Sequence, residues 1–180
     1  MAAVAGRVLL DIAVRSHPRA VRHAVETLSI RLAAEGLPDA AISAVELVLA
    51  EAMNNIVEHA YPRGGRQAIR LRCLAGSDAL ELRLTDTGRP FPAGRIPLGL
   101  APGLDVATCD LPEGGFGWFL IHSLTSGLRY SRAGGENRLD MTFDVALPAK
   151  ADADRTPRPS RKSAAIVPQS RCNRIADREA

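Results

Sequence analysis

The sequence predicts an α+β protein in which helices cover one face of a mixed, mostly antiparallel β-sheet, that is, a two-layer α/β sandwich. Short segments with apolar residues at every second position follow one another in pairs, as in hairpins. Two longer segments carry apolar residues at helical spacing. A hydrophobic content of 46% is enough for one core in a chain of 180 residues. Hairpin strands and helices with one apolar face combine into two layers.

The first part of the chain predicts one strand and two helices. Residues 7–14 have the apolar content of a strand. A helix then opens with Ser16 as its cap and ends at Gly36. A second helix starts at Asp39 and continues without Pro or Gly to Tyr61, which is followed by Pro.

The second part predicts two hairpins and a short helix. Residues 69–73 and 80–84 alternate apolar and charged side chains on either side of a loop at 75–78. An apolar helix is expected at 118–124. The last hairpin is predicted from the strands 128–131 and 138–147.

A segment rich in Pro and Gly, residues 89–113, separates the two hairpins. Such a segment inside a compact domain is usually a functional lid or a linker, and the motifs on either side of it favour a mobile lid. Residues 149–180 combine Pro with scattered charge, which predicts a disordered, Arg-rich tail. The folded domain is therefore expected at 1–148.

Charge and composition exclude several classes of protein. Residues 1–150 contain 16 Lys/Arg and 16 Asp/Glu, so the net charge of +3 belongs to the tail, and direct nucleic-acid binding is not expected. No apolar run approaches the roughly 18 residues of a membrane span, and the first residues do not have the pattern of a signal peptide. Cys73, Cys109 and Cys172 lie far apart without metal-binding spacing, which indicates a reduced, cytoplasmic setting.

The second helix carries a polar stripe beside its apolar face. Glu51, Asn55 and His59 are spaced at i, i+4 and i+8, which stacks them on one side of an α-helix. Taken alone, this stripe could be an ordinary helix surface. His59 could touch the edge of a site or be a helix-end histidine favoured by the helix dipole.

Two glycine motifs lie at the ends of predicted elements. Asp86-x-Gly88 follows a strand, and Gly115-x-Gly117 precedes a helix. Each motif alone is more often a turn or a cap. Together with the polar stripe they predict a nucleotide site. Helix N-terminal N–H groups favour phosphates, and a buried carboxylate can accept a hydrogen bond from the amino group of adenine. An Asn oxygen suits Mg²⁺, and a Glu one turn away can take a proton.

With these motifs in this order, the sequence resembles the GHKL (Bergerat-fold) ATPase superfamily and, within it, the anti-sigma factor serine-protein kinases. Residues 50–61 look like the N-box, 86–91 like the G1 box and 113–121 like the G2 box, while 130–139 resemble the terminal hairpin. The resemblance covers about residues 7–147 and implies the Bergerat ATP-binding fold with its ATP lid. Two positions depart from the family pattern: Thr125-Ser126-Gly127 stands where an Asp is usual, and Asn137 where many members have a Thr.

The resemblance implies roles for individual residues. Glu51 would be the general base, and Asn55 would bind Mg²⁺. Asp86 would bind adenine. The ATP-binding residues implied are Asn55, Asp86, Gly88, Gly114, Gly115, Phe116, Gly117 and Asn137.

The activity implied is that of a bacterial anti-sigma factor and protein serine/threonine kinase. It would use ATP and Mg²⁺ to phosphorylate a STAS-type anti-anti-sigma protein, and would otherwise sequester an RNA polymerase sigma factor. The resemblance also implies the homodimer common in this family. An alternative is a module that binds ATP only as a switch and transfers no phosphate. A histidine-kinase ATPase module is less expected, because dimerisation helices with a phospho-acceptor His do not precede the domain.

Overall fold

The structure, a computed structural model, describes residues 6–61, 67–99 and 116–145. The strands are β1 (Arg7–Arg15), β2 (Ala68–Ala75), β3 (Ala79–Asp86), β4 (Gly127–Ala133) and β5 (Glu136–Asp144). The α-helices are α1 (Pro18–Ala34), α2 (Asp39–Asn55) and α3 (Phe116–Leu124). A π-helical turn, Ile56–Ala60, extends α2, and a short 3₁₀ turn covers Pro92–Gly94.

The five strands form one sheet in the order β1-β2-β3-β5-β4. The predicted α+β sandwich is confirmed. All four pairings between the described strands are antiparallel, so the parallel pairing that a mixed sheet allows does not occur among them. The reason lies in the connections. Two successive helices join β1 to β2 and bring the chain back beside β1 in the opposite direction, while tight turns join β2 to β3 and β4 to β5.

The core lies between the helices and one face of the sheet. The predicted apolar stripe of α2 is buried throughout, and that of α1 is buried except at Val25, which is half-buried. In β5 the period of two places Leu139, Met141 and Phe143 in the core. The largest fully buried side chains come from both layers: Leu28, Leu32, Leu49, Met53, Ile69, Leu71, Leu80, Leu82, Leu84, Ile121 and Met141.

The start of α1 differs from its prediction. The N-cap is His17, whose Nδ1 accepts a hydrogen bond from Arg19 N at 3.2 Å. Ser16 lies between β1 and α1, and its backbone N–H donates to Gln67 O at 3.0 Å. Its buried hydroxyl has no hydrogen-bond partner among the described residues, so it does not cap the helix. The predicted end is confirmed: Gly36 has φ +79°, and its N–H donates to Ala33 O.

The helical segment Asp39–Ala60 is long and apolar enough to cross a membrane by length and composition, with a mean hydropathy of 1.4. A buried core helix passes the same test, and α2 is such a helix, with Val48, Leu49 and Met53 fully enclosed. The prediction of one uninterrupted α-helix to Tyr61 is wrong at its end, because α-helical geometry stops at Asn55 and the next five residues form the π turn.

Several predicted features lie outside the described residues. They are the lid from residue 100 to 113, Gly114 and Gly115, the tail at 149–180 with the domain boundary at 148, and two of the cysteines, Cys109 and Cys172.

Candidate functional site

A cavity of about 510 Å³ opens where α2, β3, β5 and α3 meet. Asn55 and Asp86, which the sequence placed in one site, both line it. The wall is completed mainly by apolar and ring side chains, which suit the faces of a flat base. The lining residues are Asn55, Ile56, His59, Ala60, Asp86, Arg89, Pro90, Phe91, Pro92, Pro97, Trp118, Asn137 and Leu139.

Asp86 supplies a carboxylate to the cavity wall. It is the last residue of β3 and is only 6% exposed. Its Oδ1 accepts hydrogen bonds from Gly88 N at 2.7 Å and from Asn137 Nδ2 at 3.0 Å. Because these two donors occupy Oδ1, Oδ2 is the oxygen left to accept a hydrogen bond from a ligand.

Asn137 lies in the cavity wall, but its polar atoms are used within the protein. It is 4% exposed, and besides Asp86 its Nδ2 contacts the carbonyl oxygens of Gly88 and Arg89, each at 3.2 Å. Its Oδ1 accepts from Tyr130 Oη at 2.7 Å and from Arg132. A direct contact of Asn137 with ATP stays a prediction. The contacts present in the structure make Asn137 a support for Asp86.

The loop after Asp86 is hydrogen-bonded to the π turn that extends α2 and to Tyr61. Arg89 N donates to Ala60 O at 3.1 Å, and Thr87 N donates to the Tyr61 hydroxyl at 3.0 Å. Burial raises the pKa of Tyr61, and the nearby Asp86 carboxylate raises it further. The π turn presents the carbonyl of Ala60 to this loop.

Gly88 lies directly against this π turn. A methyl group at Gly88 would lie 2.6 Å from Ala60 Cβ and 2.8 Å from Ala60 O. Only glycine allows so close an approach, which explains the residue type at the third position of the Asp-x-Gly motif.

Glu51, Asn55 and Gly117 come together beside the cavity, which Asn55 lines. Asn55 Nδ2 donates to the backbone carbonyl of Glu51 at 2.8 Å, which leaves Oδ1 as the atom available to a cation. A Cβ on Gly117 would overlap Glu51 Oε2 and lie 3.8 Å from Asn55 Nδ2. The first turn of α3 therefore touches the polar face of α2, as the two motifs predicted.

The described part of the predicted lid lies against α3. His122 Nε2 is 2.9 Å from Pro97 O. A methyl group at Gly99 would overlap the backbone of Trp118 and Phe119. Phe91 contacts Trp118 edge-on, with ring centroids 5.1 Å apart, and contacts Tyr130 at 4.6 Å.

For several side chains the structure gives a position that the sequence left open, predicted differently or did not indicate. His59, for which the sequence left open the edge of a site or a helix-end position, is exposed to solvent and lines the cavity. Phe116 was expected to bind ATP. It is half-exposed beside Phe119, with ring centroids 6.0 Å apart, and is not in the cavity lining. Tyr130 and Arg132 were not singled out, because spacing along the chain gives no sign of a contact between β4 and the loop after β3.

Comparison with known proteins decides the family. A family model described as the histidine kinase-like ATPase domain matches residues 14–143. The chain belongs to this family. The resemblance to the GHKL superfamily and its serine-protein kinases, drawn from the sequence boxes, is thereby confirmed, and relatives that carry the name serine-protein kinase agree with it.

Three curated relatives of this histidine kinase-like ATPase domain are informative. Serine-protein kinase RsbW of Halalkalibacterium halodurans is 38% identical over 85 residues, which are 46% of this chain and 51% of the relative. Serine/threonine-protein kinase BtrW of Bordetella bronchiseptica is 34% identical over 97 residues, 53% of this chain and 66% of the relative. RsbW of Bacillus subtilis is 30% identical over 95 residues, 52% and 59% of the two chains. The matches span between about half and two thirds of these relatives.

The fold agrees with an experimental structure. A crystal structure of the RsbU and RsbW domains of a Mycobacterium tuberculosis protein superposes with a TM-score of 0.54 at 21% identity. The superposition covers 78% of this chain and 32% of that one. At this identity it supports the sandwich fold of the domain alone.

Proposed function

We propose that this chain is an ATP-dependent protein serine/threonine kinase that also acts as an anti-sigma factor. The observation that carries the proposal is the contact of Glu51 with Gly117 beside Asn55, since Asn55 lines the same cavity as the buried carboxylate of Asp86. Membership of the histidine kinase-like ATPase family and the kinase names of three relatives support it.

Asp86 would bind the adenine base. Its Oδ2 can accept a hydrogen bond from the exocyclic amino group, while Gly88 N–H and Asn137 hold Oδ1. The flat apolar wall that includes Ile56 and Leu139 would enclose the ring. A base without an amino group at that position would lose this hydrogen bond.

The donor set of the site fits Mg²⁺. The described residues contain no group of three or more His, Cys, Asp or Glu that could hold a metal by themselves. Mg²⁺ needs no such group, since it is commonly bound by one or two protein oxygens together with phosphates and water. Asn55 Oδ1 would be the protein ligand. When bound, the ion would draw negative charge from the phosphate oxygens.

Glu51 would act as the general base. Its carboxylate would take the proton from a Ser or Thr hydroxyl of the partner while the hydroxyl oxygen bonds to the terminal phosphorus of ATP. The bond from that phosphorus to the bridging oxygen breaks, and ADP leaves. N–H groups of the Gly115–Gly117 segment would stabilise the negative charge on the transferred phosphoryl group.

The partners we propose are those implied by the resemblance to the anti-sigma factor serine-protein kinases. The hydroxyl acceptor would be a STAS-type anti-anti-sigma protein, and the sequestered protein an RNA polymerase sigma factor. We further propose that the protein works in the cytoplasm as a homodimer.

The decisive experiment measures transfer of the ATP terminal phosphate to candidate STAS proteins. Glu51→Gln is expected to lower the rate by about 10²-fold or more while the Kd for ATP changes less than about two-fold. Glu58→Gln is the matched control, since Glu58 is an exposed acid on the adjacent π turn, and it should keep the full rate.

Two outcomes would contradict this assignment. An unchanged rate in Glu51→Gln would remove Glu51 as the base. If the wild-type protein transfers no phosphate and ATP only changes its affinity for partners, it is a nucleotide-dependent switch and not a kinase.

A further inference from the structure

We propose that Arg132 and Tyr130 are positioning residues that set the recognition of the base by fixing the amide of Asn137. The inference rests on the proposed role of Asp86 in adenine binding. Neither Arg132 nor Tyr130 is among the residues that line the cavity. Arg132 reaches it through Asn137 and the carbonyl of Gly88, and Tyr130 through Asn137 and the ring of Phe91.

The orientation of the Asn137 amide is determined by the chemistry of its neighbours. Arg132 Nη1 contacts Asn137 Oδ1 and also donates to Gly88 O at 3.0 Å. An arginine can only donate, so the atom it faces on Asn137 has to be the oxygen. Tyr130 Oη, 2.7 Å from the same oxygen, donates a second hydrogen bond.

This orientation decides what Asp86 meets. With Oδ1 held by Arg132 and Tyr130, the amide presents its NH₂ group to Asp86 Oδ1 and to the carbonyl oxygens of Gly88 and Arg89. A rotated amide would instead place its oxygen beside a carboxylate and two carbonyls, where each contact is repulsive. Arg132 and Tyr130 thereby reserve one specific oxygen of Asp86, Oδ2, for the base.

The rival role for Arg132 is a simple tie within the last hairpin, because Arg132 and Asn137 are direct cross-strand partners. If that were its role, loss of Arg132 would weaken the binding of every ligand of the cavity to a similar extent. If Arg132 is a positioning residue, its loss would weaken binding only of a ligand whose base donates a hydrogen bond to Asp86. The two roles therefore differ in ligand selectivity.

The test compares two nucleotides on the full chain. The Kd is measured calorimetrically for ATP and for purine riboside 5′-triphosphate, which lacks the amino group. The wild-type protein is expected to favour ATP by about ten-fold or more, and Arg132→Met should lose most of that preference while its affinity for the analogue changes less than about two-fold. Arg132→Lys keeps a donor and should retain part of the preference. Arg129→Met removes the same charge from an exposed position of β4 and should retain all of it.

The outcomes separate the two proposals. A wild-type protein without a preference for ATP would refute the adenine role of Asp86. A wild-type preference that persists unchanged in Arg132→Met would overturn the positioning role alone, as would equal losses for both nucleotides. Circular dichroism checks that each variant folds. If Arg132→Met does not fold, the two single variants Arg132→Lys and Tyr130→Phe replace it, and an unchanged preference for ATP in both of them overturns the positioning role.

Discussion

Two glycines of the site have no room for a methyl group, and their neighbours respond differently. At Gly117 the obstacle is the carboxylate tip of Glu51, a flexible side chain that can move aside. At Gly88 the obstacles are the backbone and Cβ of Ala60 and the hydrogen-bonded Asp86 Oδ1, 2.9 Å away. These atoms belong to packed elements and cannot move without breaking the hydrogen bonds between the loop and the π turn.

This difference predicts opposite phenotypes for two Ala substitutions. Gly117→Ala should displace Glu51, lowering phosphate transfer by about ten-fold or more, while the free energy of unfolding changes by less than about 1 kcal/mol. Gly88→Ala should destabilise the protein by about 1–3 kcal/mol and weaken ATP binding. Urea unfolding, ATP titration and the transfer assay on both variants check this.

The control for these substitutions is Gly134→Ala in the turn between β4 and β5. A methyl group there meets nothing within 4 Å, although φ is +59°. Backbone strain of about 1–2 kcal/mol is expected, with no change in ATP affinity or rate. If Gly117→Ala were as active as wild type, the close approach of Glu51 to α3 would have no bearing on catalysis.

At the residue scale, the sequence predicts the groups that local spacing places at element ends. Glu51 and Asn55 share a helix face, and Asp86 ends a strand, so each could be proposed from its neighbours. The contact of Arg132 with Gly88 could not be predicted in this way, because it joins residues 44 positions apart through the pairing of β5 with both β3 and β4.

At the scale of elements, the π turn shows how tertiary contacts override local pattern. Nothing in Ile56–Ala60 breaks a helix, so the sequence predicts continued α geometry. The structure widens this turn where Arg89 N–H meets Ala60 O and where Gly88 lies against Ala60. The partners come from a loop about thirty residues away, which helical periodicity cannot reveal.

The core strand β2 predicts a loss of stability at alkaline pH. Cys73 is fully buried, and desolvation raises its pKa to about 12. Above a pH of about 9 the unfolded chain ionises this thiol while the folded protein keeps the proton. Unfolding then releases a proton, so its free energy falls as pH rises, by about 2 kcal/mol at pH 10.5.

The measurement is urea unfolding of the wild type and Cys73→Ala between pH 8 and 10.5. The variant is destabilised by a cavity at every pH but should lose less stability over this range than the wild type. Since Tyr61 also has a raised pKa and contributes in the same direction, only the difference between the two proteins reports on Cys73. Parallel curves would show that the thiol does not titrate in this way.

At the scale of the whole molecule, nucleotide binding should stabilise the fold by mass action. ATP with Mg²⁺ at about one hundred times its Kd is expected to raise the free energy of unfolding by about 2.7 kcal/mol. Removing Mg²⁺ with EDTA should reduce this increment, because Asn55 would then meet the triphosphate without its ion. Thermal unfolding with and without EDTA measures the effect.

Asn55→Ala is the diagnostic variant for the metal. Its stabilisation by ATP should be smaller than that of the wild type and nearly the same with Mg²⁺ and with EDTA. Asp86→Asn should instead reduce stabilisation under both conditions, since it affects the base. A full Mg²⁺-dependent increment in Asn55→Ala would show that the ion is held elsewhere.

The far face of the sheet shows why net charge alone is a poor guide to the whole molecule. Arg83 contacts both Glu81 and Asp140 at 2.6 Å, and Arg138 contacts Asp140 at 2.7 Å. Of these three pairs, Arg83–Asp140 joins β3 to β5, while Arg83–Glu81 and Arg138–Asp140 each lie within one strand. The balanced charge of residues 1–150 predicted such pairs only in sum. The fold class was predictable from periodicity, whereas the order of strands that brings Arg83 opposite Asp140 was not.

That strand order also constrains the sequence of events during synthesis. In the sheet, β5 lies between β3 and β4 but is made after both. Asp86 leaves the ribosome 51 residues before its partner Asn137. The helix that carries Glu51 and Asn55, with the strands β1 to β3, can assemble early, whereas the cavity beside Asp86 is complete only when β5 supplies Asn137 and Leu139. A nascent chain would thus acquire its nucleotide selectivity as one of the last steps of folding.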